Sequence, residues 1–256
     1  MSDSELVKVE ITDGVGVITI NRPEAKNAVN LGVAQGVADA VDKLEADDSV
    51  VALIITGAGG TFCSGMDLKA FAKGERPSIP GRGFAGLTEA EIAKPLIAAV
   101  EGYALAGGCE LALAADIIVA AKTAQFGIPE AKRGLVAAAG GVLKLAKTMP
   151  YGAAMELALT GDFIKAERAQ ELGLVTRVAE EGKALDEALE LAKKIAQNGP
   201  LAVKASKQLV SGSIKWIDKD LLAWQADIID PVFKSEDAIE GATAFAEKRA
   251  PQWKGK

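Results

Sequence analysis

The alternation of apolar and polar side chains in the first sixty residues predicts a pair of strands, a helix and a further strand. Residues 7–11 alternate, Thr12-Asp13-Gly14 has turn chemistry, and residues 15–21 resume the alternation, which predicts a β-hairpin. From Leu31 to Leu44 the apolar side chains recur every three or four residues, as on the buried face of a helix. The apolar run 50–56 lacks alternation, so we expect a buried parallel strand there.

A second unit with the same order of elements covers residues 96–121. We predict a strand at 96–100, a glycine-bearing turn, a helix that starts at Glu110 and a strand at 117–121. A strand, a helix and another strand in succession are typical of crossover connections in α/β proteins. We therefore expect an α/β protein built from tandem units.

The pattern becomes wholly helical after Pro200. Residues 201–210, 214–229 and 236–248 each carry apolar side chains at three- and four-residue spacing. We therefore divide the chain into a core, residues 1–197, and a helical C-terminal region, residues 198–256. The aromatic side chains Trp216, Trp224 and Phe233 of this region are interpreted as core or interface residues rather than as ligand contacts.

Length, composition and charge exclude several classes of protein. With 256 residues, of which 49% are hydrophobic, the chain can bury a sizeable core. Its net charge of -6 and pI near 5.0 give no long-range attraction for nucleic acid or for anionic membranes. The N-terminal residues lack a basic segment followed by an apolar run, and no apolar stretch reaches the ~18 residues of a membrane span. We expect a cytoplasmic protein that binds neither nucleic acid nor membrane.

The absence of histidine restricts the possible chemistry. The chain has no histidine and only two cysteines, Cys63 and Cys109, which excludes a Cys/His zinc site, a Ser-His-Asp triad and a Cys-His pair. No metal site is predicted. Catalysis would have to use carboxylates, hydroxyls, lysines, thiols or the backbone. Because neither cysteine has an evident base beside it, we interpret both as small packing residues.

Residues 101–134 place two carboxylates, Glu110 and Glu130, close to glycine-bearing backbone. Glu110 is expected in the first turn of a buried helix, where the helix dipole favours an anion. Gly107 and Gly108 precede it and would leave backbone N–H groups open to a ligand. Taken alone, the segment fits equally well a helix that begins with a glutamate after a tight turn.

The glycine-rich segment 57–68 follows a predicted strand but is not a nucleotide-binding loop. A dinucleotide fingerprint would need glycine where the chain has Phe62, and a phosphate loop would need lysine where it has Met66. Gly65 instead allows a close backbone approach, which makes the N–H of Met66 a candidate donor. A connection without a ligand explains this segment equally well.

Taken together, these segments resemble the crotonase (enoyl-CoA hydratase/isomerase) superfamily. The resemblance covers nearly the whole chain. The matching motifs are Asn21-Arg22-Pro23 with Lys26-Asn27-Ala28, FCSGMDLK at 62–69, GYALAGGCELA at 102–112, AQFGIPE at 124–130, Thr160-Gly161, Gly173-Leu174-Val175 and FAEKR at 245–249.

The resemblance implies a fold, an assembly and a ligand. The fold would be a spiral of repeated ββα units with a helical C-terminal layer that mediates trimerisation, and the trimers often pair into hexamers. The ligand would be an acyl-CoA thioester, with no separate cofactor because coenzyme A is part of the substrate. The N–H groups of Met66 and Gly107 would hold the thioester oxygen, and Glu110 and Glu130 match the two glutamates of the family's hydratases.

The implied reaction is hydration of a 2-enoyl-CoA to a 3-hydroxyacyl-CoA, in fatty-acid β-oxidation or a related pathway. Two carboxylates suit this reaction, because one group must deprotonate water at C3 while another supplies a proton at C2. One alternative is another crotonase reaction, either dehydration of a hydroxyacyl-CoA of the carnitinyl-CoA type or double-bond isomerisation. The other is a non-catalytic acyl-CoA-binding or RNA-binding protein of the same fold. The intact glutamate pair argues against an acyl-CoA-binding protein without catalysis, and the acidic pI argues against RNA binding.

Further substrate contacts follow from the resemblance. Lys26 and Lys69 would meet coenzyme A phosphates, although solvated lysines would fit equally well. Asp67 is expected to cap a helix at residues 68–72 rather than act as a base. In related proteins the closing Phe-x-x-Lys lies near coenzyme A bound to an adjacent subunit. The expected substrate-binding residues are Lys26, Ala28, Ser64, Gly65, Asp67, Leu68, Lys69, Pro129, Leu135, Phe245 and Lys248.

The sequence departs from the family pattern at two places. Ala137-Ala138 stands where many hydratases have a proline-glycine pair, so the shape of the acyl pocket is expected to differ. Ala106 stands where many have a third glycine, and we expect little effect because Gly107 is kept.

Overall fold

The strands form a large mixed sheet and two smaller sheets. The computed structural model describes residues 6–213, 226–227, 230–252 and 254. The strands of this part of the chain are β1 (Val7–Thr12), β2 (Val15–Ile20), β3 (Ala52–Gly57), β4 (Ser78–Ile79), β5 (Gly83–Phe84), β6 (Leu96–Val100), β7 (Tyr103–Leu105), β8 (Ile117–Ala121), β9 (Gln125–Gly127), β10 (Ile164–Lys165) and β11 (Arg177–Ala179).

Helices connect these strands and form the C-terminal region. Two 3₁₀ helices, Pro23–Ala25 and Pro129–Arg133, lie between the longer elements. The α-helices of the described residues are α1 (Leu31–Ala46), α2 (Leu68–Ala72), α3 (Gly107–Ala112), α4 (Gly141–Thr148), α5 (Tyr151–Thr160), α6 (Ala166–Glu171), α7 (Ala184–Ala196), α8 (Pro200–Ser213) and α9 (Glu236–Glu247).

The large sheet has the strand order β1-β2-β3-β6-β8-β11. β1 and β2 are antiparallel, and every other pair in this sheet is parallel. Asp13 and Gly14 connect β1 to β2 with φ angles of 51° and 75°. Two successive positive φ angles are the geometry of a tight hairpin turn, which confirms the predicted hairpin.

Apolar residues cover both faces of the large sheet. On β3, Leu53 and Ile55 belong to the main core, which contains α1, whereas Ala52 and Ile54 pack into a second core with α7. Successive side chains of a strand point to opposite faces, so a strand between two cores is apolar at every position. This explains the continuous apolar run that predicted a buried parallel strand.

Most of the predicted elements lie close to their expected bounds. Those at 31–44, 50–56, 96–100 and 117–121 correspond to α1, β3, β6 and β8. Asn30 begins α1 by accepting a hydrogen bond from the N–H of Val33 (3.0 Å). The helix predicted to start at Glu110 is α3, which begins at Gly107 and ends at Ala112. It is short because Asp116 donates its N–H to Leu96 O (2.9 Å), so the chain is already joining the large sheet.

The C-terminal region is helical where it is described. α8 and α9 confirm two of the three predicted helices, whereas the helix predicted at 214–229, with Trp216 and Trp224, lies largely outside the described residues. α9 packs against the 3₁₀ helix Pro129–Arg133, since a Cβ on Gly241 would lie only 2.0 Å from Arg133 O. In the described part of the chain, no helix is both long and apolar enough to cross a membrane.

Candidate active site

A cavity of about 980 Å³ lies beside the two glycine-rich segments identified in the sequence. Its size is that of a small-molecule site. The cavity is lined by most of the predicted site residues: Lys26, Ala28, Ser64, Met66, Asp67, Leu68, Lys69, Gly107, Glu110, Pro129, Glu130, Leu135 and Phe245. Gly65 does not line it but supports its wall. Lys248 lies outside the cavity, exposed at the end of α9 with a φ of 55°, so its contact with substrate stays a prediction.

Hydrogen bonds hold the two glycine-rich segments side by side. Cys63 donates its N–H to Tyr103 O (2.8 Å), and Leu105 donates its N–H to Cys63 O (3.1 Å). A Cβ on Gly108 would lie 2.1 Å from Cys63 O, so only glycine allows this approach. A Cβ on Gly65, whose φ is 103°, would lie 3.2 Å from the nitrogen of Gly107. The two candidate oxyanion donors are therefore on adjacent segments.

The N–H groups of Met66 and Gly107 have no protein acceptor within the described residues. Val29 N–H donates to Gly65 O (2.8 Å) and Asp67 N–H donates to Val29 O (2.9 Å), which fixes the backbone on both sides of Met66. Gly107 is the first residue of α3, where an N–H has no helical acceptor. Two adjacent free N–H groups on a cavity wall can bind an oxygen that gains negative charge.

The turn into α3 is strained at Ala106. This residue has φ 53° and ψ −130°, a region that side-chain-bearing residues rarely adopt. A glycine would adopt this backbone without strain, which accounts for the glycine that many family members have here. The bond from Ala106 N–H to Gly127 O (2.9 Å) holds the residue in place.

The carboxylate of Glu110 is buried and held by two backbone donors. Its side chain is 4% exposed, and Oε1 accepts hydrogen bonds from the N–H groups of Ala139 and Gly141, both at 2.8 Å. A Cβ on Gly141 would lie 2.6 Å from the Cγ of Glu110, so any side chain at position 141 would displace the Glu110 carboxylate or α4. Burial raises the pKa of Glu110, as does the charge of Glu130, while the two N–H donors and Lys144 oppose the rise.

Glu130 is the second acidic residue of the cavity, and one of its oxygens has no partner. The residue belongs to the 3₁₀ helix Pro129–Arg133. Its Oε2 is buried and makes no hydrogen bond within the described residues. Burial raises the pKa of Glu130, while its own backbone N–H and Arg133 oppose the rise. A buried oxygen of this kind is best satisfied by a proton or by a ligand.

The two carboxylates act on each other through a buried cavity, so they titrate as a pair. Two like charges in a poorly solvated site favour a state in which one carboxylate is ionised and the other carries a proton. Such a pair contains both a base and an acid at the same pH. Such a pair can remove a proton from one atom of a ligand and deliver a proton to another atom of the ligand in the same site.

Both cysteines are buried next to this site. Burial raises the pKa of Cys63 to about 12 and also raises that of Cys109, with Glu130 and Glu110 adding to the rise at Cys109. Both side chains are therefore neutral thiols at physiological pH, in agreement with a packing role. Within the described residues no group of three or more acidic or cysteine side chains is placed to hold a metal.

The predicted cap at Asp67 is confirmed, and it has an additional partner. Asp67 Oδ1 accepts from the N–H groups of Lys69 (3.0 Å) and Ala70 (3.2 Å) at the start of α2. Its Oδ2 pairs with the guanidinium of Arg22 at 3.0 Å, and Arg22 also donates to Ala28 O (2.6 Å). Burial alone would raise the pKa of Asp67, but these hydrogen bonds outweigh it and lower the pKa. Arg22 belongs to a matching motif, yet its role was not predicted.

Cationic and aromatic side chains surround the mouth of the cavity. Lys26 and Lys69 are exposed, and the Lys26 ammonium lies 5.1 Å from the centre of the Tyr103 ring. Phe245 is half exposed, with the Arg133 guanidinium 4.6 Å from its ring. These cations could meet anionic groups of a ligand, and their contact with coenzyme A phosphates stays a prediction.

The remaining wall is largely apolar and includes the Ala137-Ala138 segment, where the sequence departs from the family pattern. The ring of Phe84 packs against Gly107, where a Cβ would lie 2.7 Å from two ring carbons. Ala138 lines the cavity, whereas Ala137 is buried behind it. One charged side chain on this wall, Glu89, makes no hydrogen bond or ion pair within the described residues.

Comparison of the sequence with known families identifies the family of this chain, in agreement with the geometry of the site. Residues 10–256 match the sequence model of the enoyl-CoA hydratase/isomerase family. The chain belongs to the crotonase superfamily. A carnitinyl-CoA dehydratase of Salmonella typhi is 43% identical over 252 residues, with coverage of 93% of this chain and 94% of that protein.

Solved structures of the superfamily give the same result. An enoyl-CoA hydratase of Mycobacterium tuberculosis H37Rv is 59% identical with a TM-score of 0.81, covering 98% of this chain and 100% of that one. A carnitinyl-CoA hydratase of Mycobacterium avium is 44% identical with a TM-score of 0.93, covering 98% and 99%. The predicted α/β crotonase fold is therefore confirmed, and this crotonase is a lyase-type enzyme of the hydratase and dehydratase group.

Proposed function

We propose that this crotonase catalyses the reversible addition of water across the 2,3 double bond of a 2-enoyl-CoA, giving a 3-hydroxyacyl-CoA. One observation carries the proposal: two buried carboxylates, Glu110 and Glu130, line the same cavity as the unpaired N–H groups of Met66 and Gly107. The reaction would belong to fatty-acid β-oxidation or to a related pathway of acyl-CoA metabolism.

The two N–H groups bind the thioester oxygen of the substrate. As the water oxygen bonds to C3, the electron pair of the double bond moves towards the carbonyl, and negative charge develops on that oxygen. Met66 and Gly107 stabilise this charge with donors that are already oriented. A typical single donor of this kind contributes ~10²- to 10³-fold in rate. The resulting enolate takes a proton at C2, which completes the addition of one water molecule.

We assign different proton-transfer roles to the two carboxylates. Glu110 accepts two N–H hydrogen bonds, which stabilise its ionised form, so it orients the water and removes its proton. Glu130 has a buried oxygen without a partner, which favours its protonated form, so it delivers a proton to C2. In the reverse direction Glu130 removes the C2 proton and Glu110 protonates the departing hydroxyl group.

Exposed apolar side chains support assembly into a trimer or a pair of trimers. Tyr151, Met155 and Leu159 are exposed at four-residue spacing on one face of α5, and Leu201 and Leu209 are exposed on α8. We expect Leu159→Glu to release monomers, because a carboxylate would be buried in the interface. Light scattering measures this, with Glu156→Lys on α5 as a matched exposed control. A wild-type protein that is monomeric and fully active would contradict the proposed assembly.

A second candidate function is dehydration of a carnitinyl-CoA type of substrate, as in the names of several relatives. One observation favours it: the Glu89 carboxylate lines the cavity and makes no hydrogen bond or ion pair in the described residues, although the charge of Lys144 acts on it. The rings of Phe71 and Phe84 line the same cavity. Carboxylates and aromatic faces attract a quaternary ammonium group. The guanidinium of Arg76 opposes it, because it lines the same cavity, 4.1 Å from the Phe71 ring.

An assay at the enoyl absorption band decides between the two candidates. Wild-type protein is given but-2-enoyl-CoA, a longer 2-enoyl-CoA and carnitinyl-CoA, and kcat/KM is compared. We expect the uncharged enoyl-CoA esters to react faster. If carnitinyl-CoA reacts faster, and Glu89→Gln lowers its kcat/KM alone, the second candidate replaces the first. If none of these substrates reacts, both candidates are wrong.

A further inference from the structure

The ring of Phe84 covers one side of Gly107, which carries one of the two candidate oxyanion N–H groups. A Cβ on Gly107 would lie 2.7 Å from both Cε1 and Cζ of the ring and 3.4 Å from Cδ1, so the edge of the ring touches the Gly107 backbone. Phe84 lines the cavity, yet only 8% of the residue is exposed. An apolar ring, rather than solvent, therefore occupies the space beside the Cα of Gly107.

The next residue of α3, Gly108, is held from a different side. A Cβ there would lie 2.1 Å from Cys63 O and 3.0 Å from Cys63 Cβ. The first turn of α3 thus packs between the Cys63 segment and the Phe84 ring. The contact with Cys63 is made mainly by its backbone, whereas the contact with Phe84 is made by its side chain. Substitution can therefore remove the second contact and leave the first in place.

Two strained alanines flank the contact between Phe84 and Gly107. Ala85 follows Phe84 with a φ of 55°, and Ala106 precedes Gly107 with a φ of 53°. Residues with side chains rarely adopt such angles, and the strain persists only where the surrounding structure imposes it, often at functional sites. Ala85 is fully buried and donates its N–H to Pro77 O (2.9 Å). Both segments are thus held in unfavourable backbone conformations on either side of this contact.

The segment that carries Phe84 is fixed to α1 rather than to α3. Arg82 pairs with Asp42 on α1 and donates its Nε to Gly86 O (3.0 Å). A Cβ on Gly86 would lie 2.5 Å from Ala34 O, which shows how closely this segment approaches α1. These contacts do not involve the Phe84 side chain. The ring is therefore a fixed wall against which the start of α3 packs.

A fixed apolar wall strengthens the hydrogen bond that the Gly107 N–H makes to a ligand. In the proposed function this N–H binds the thioester oxygen as negative charge develops on it. Such a bond is stronger where water is excluded and where the donor need not reorient during the reaction. The Phe84 ring contributes to both conditions, because it restricts Gly107 and fills space that water would otherwise occupy.

We propose that Phe84 is a positioning residue of the oxyanion site, whose ring holds Gly107 in place and keeps water away from its N–H. The inference rests on the proposed function, in which Gly107 binds the thioester oxygen. A phenylalanine that only fills the core would stabilise the protein without changing the polarisation of a bound thioester. The two roles are therefore separated by the spectrum of a bound ligand.

The first test uses butanoyl-CoA labelled with ¹³C at the carbonyl. This thioester has no double bond to hydrate, and hydrogen bonds to its oxygen lower the frequency of the C=O stretch. Infrared difference spectra are compared for the wild type, Phe84→Leu and Phe84→Ala, each saturated with ligand. We expect the downshift on binding to be largest in the wild type, smaller in Phe84→Leu and smallest in Phe84→Ala.

The second test measures hydration kinetics of the same proteins. Loss of a whole oxyanion donor costs ~10²- to 10³-fold, so a donor that is only weakened should cost less, and we expect kcat of Phe84→Ala to fall about tenfold with KM little changed. Leu53→Ala is the control for lost stability, since Leu53 is buried in the main core and does not line the cavity. It should keep the full downshift and the wild-type kcat.

Three results would overturn the inference: no downshift in the wild type, an undiminished downshift in Phe84→Ala, or an equal loss of downshift in Leu53→Ala. If Phe84→Ala does not fold, Phe84→Leu decides by the same criterion. If the wild type polarises butanoyl-CoA but hydrates no 2-enoyl-CoA, the proposed function fails. The spectra of the Phe84 variants would still support or contradict the role of the ring.

Discussion

Glu110 and Glu130 lie in one cavity, but their surroundings satisfy the two carboxylates to different extents. Glu110 has two N–H donors on one oxygen and a lysine ammonium acting on it, whereas Glu130 has a buried oxygen without any partner in the described residues. Burial raises the pKa of both. In the proposed mechanism the N–H donors favour the ionised form of Glu110 and Glu130 carries the shared proton, which provides the base and the acid that hydration requires.

The largest expected effect is on turnover, when either carboxylate becomes an amide. Glu110→Gln and Glu130→Gln should each lower kcat by at least ~10²-fold while acyl-CoA still binds, because each loses proton transfer and keeps the oxyanion donors. Steady-state hydration kinetics and a separate acyl-CoA binding titration measure the two quantities. Near-wild-type kcat in one variant would remove that residue from the mechanism.

A smaller effect is expected when the carboxylate of Glu110 is displaced rather than removed. In Gly141→Ala the new methyl group would lie 2.6 Å from Glu110 Cγ and 2.8 Å from Oε1, so the side chain or α4 must move. We expect kcat to fall at least ~10-fold and the free energy of unfolding to drop by about 1–3 kcal/mol. Gly199→Ala is the matched control, since a Cβ there meets nothing within 4 Å. Equal kinetics in both variants would show that the two N–H donors do not position Glu110.

The smallest effect is on stability and its pH dependence. Because folding raises the pKa of Glu130, the native state holds this proton more tightly than the unfolded chain does. The resulting stability is fully present below the ordinary glutamate pKa of about 4.3 and is lost as pH rises through the raised value. Glu130→Gln cannot titrate, so its free energy of unfolding should exceed that of the wild type by about 1–2 kcal/mol at pH 8.

This gain should almost vanish at about pH 3.5, below the ordinary glutamate pKa. It should be smaller in Glu110→Gln, because folding raises the pKa of Glu110 as well but this variant also loses charge-assisted hydrogen bonds from Ala139 and Gly141. Denaturant unfolding at the two pH values measures all three proteins. A gain for Glu110→Gln that equals or exceeds the gain for Glu130→Gln would reverse the assignment of the charge.

Local patterns predicted the elements around the large sheet but not the middle of the chain. The hairpin, α1, β3, β6 and β8 each carry enough periodic apolar residues to be recognised alone. Between residues 129 and 197 the strands are only two or three residues long and depend on their neighbours for pairing. The buried face of α7 consists of Ala184, Ala188 and Ala192, which give a weak periodic signal. The end of α3 was also missed, because it is set by contacts with β6.

The candidate site was predicted in part, and the missing part depends on tertiary contacts. Glu110, Glu130, Met66 and Gly107 came from motifs, and all four line the cavity. The donors to Glu110 lie 29 and 31 residues away in sequence, and the Arg22–Asp67 pair spans 45 residues. Contacts between residues so far apart in the sequence produce no periodic pattern from which they could be predicted. The glycine pair Gly140-Gly141 was the one sequence feature that pointed to the segment whose N–H groups bind Glu110.

Isotope labelling of the product tests the central claim most directly. A 2-enoyl-CoA is incubated with the wild-type protein in ²H₂¹⁸O, and the product is analysed by mass spectrometry. We predict a 3-hydroxyacyl-CoA with one ¹⁸O at C3 and one deuterium at C2, and loss of both labels in Glu110→Gln and Glu130→Gln. Deuterium without ¹⁸O, in a product whose double bond has moved, or an unchanged substrate would contradict the assignment of water addition to this pair of carboxylates.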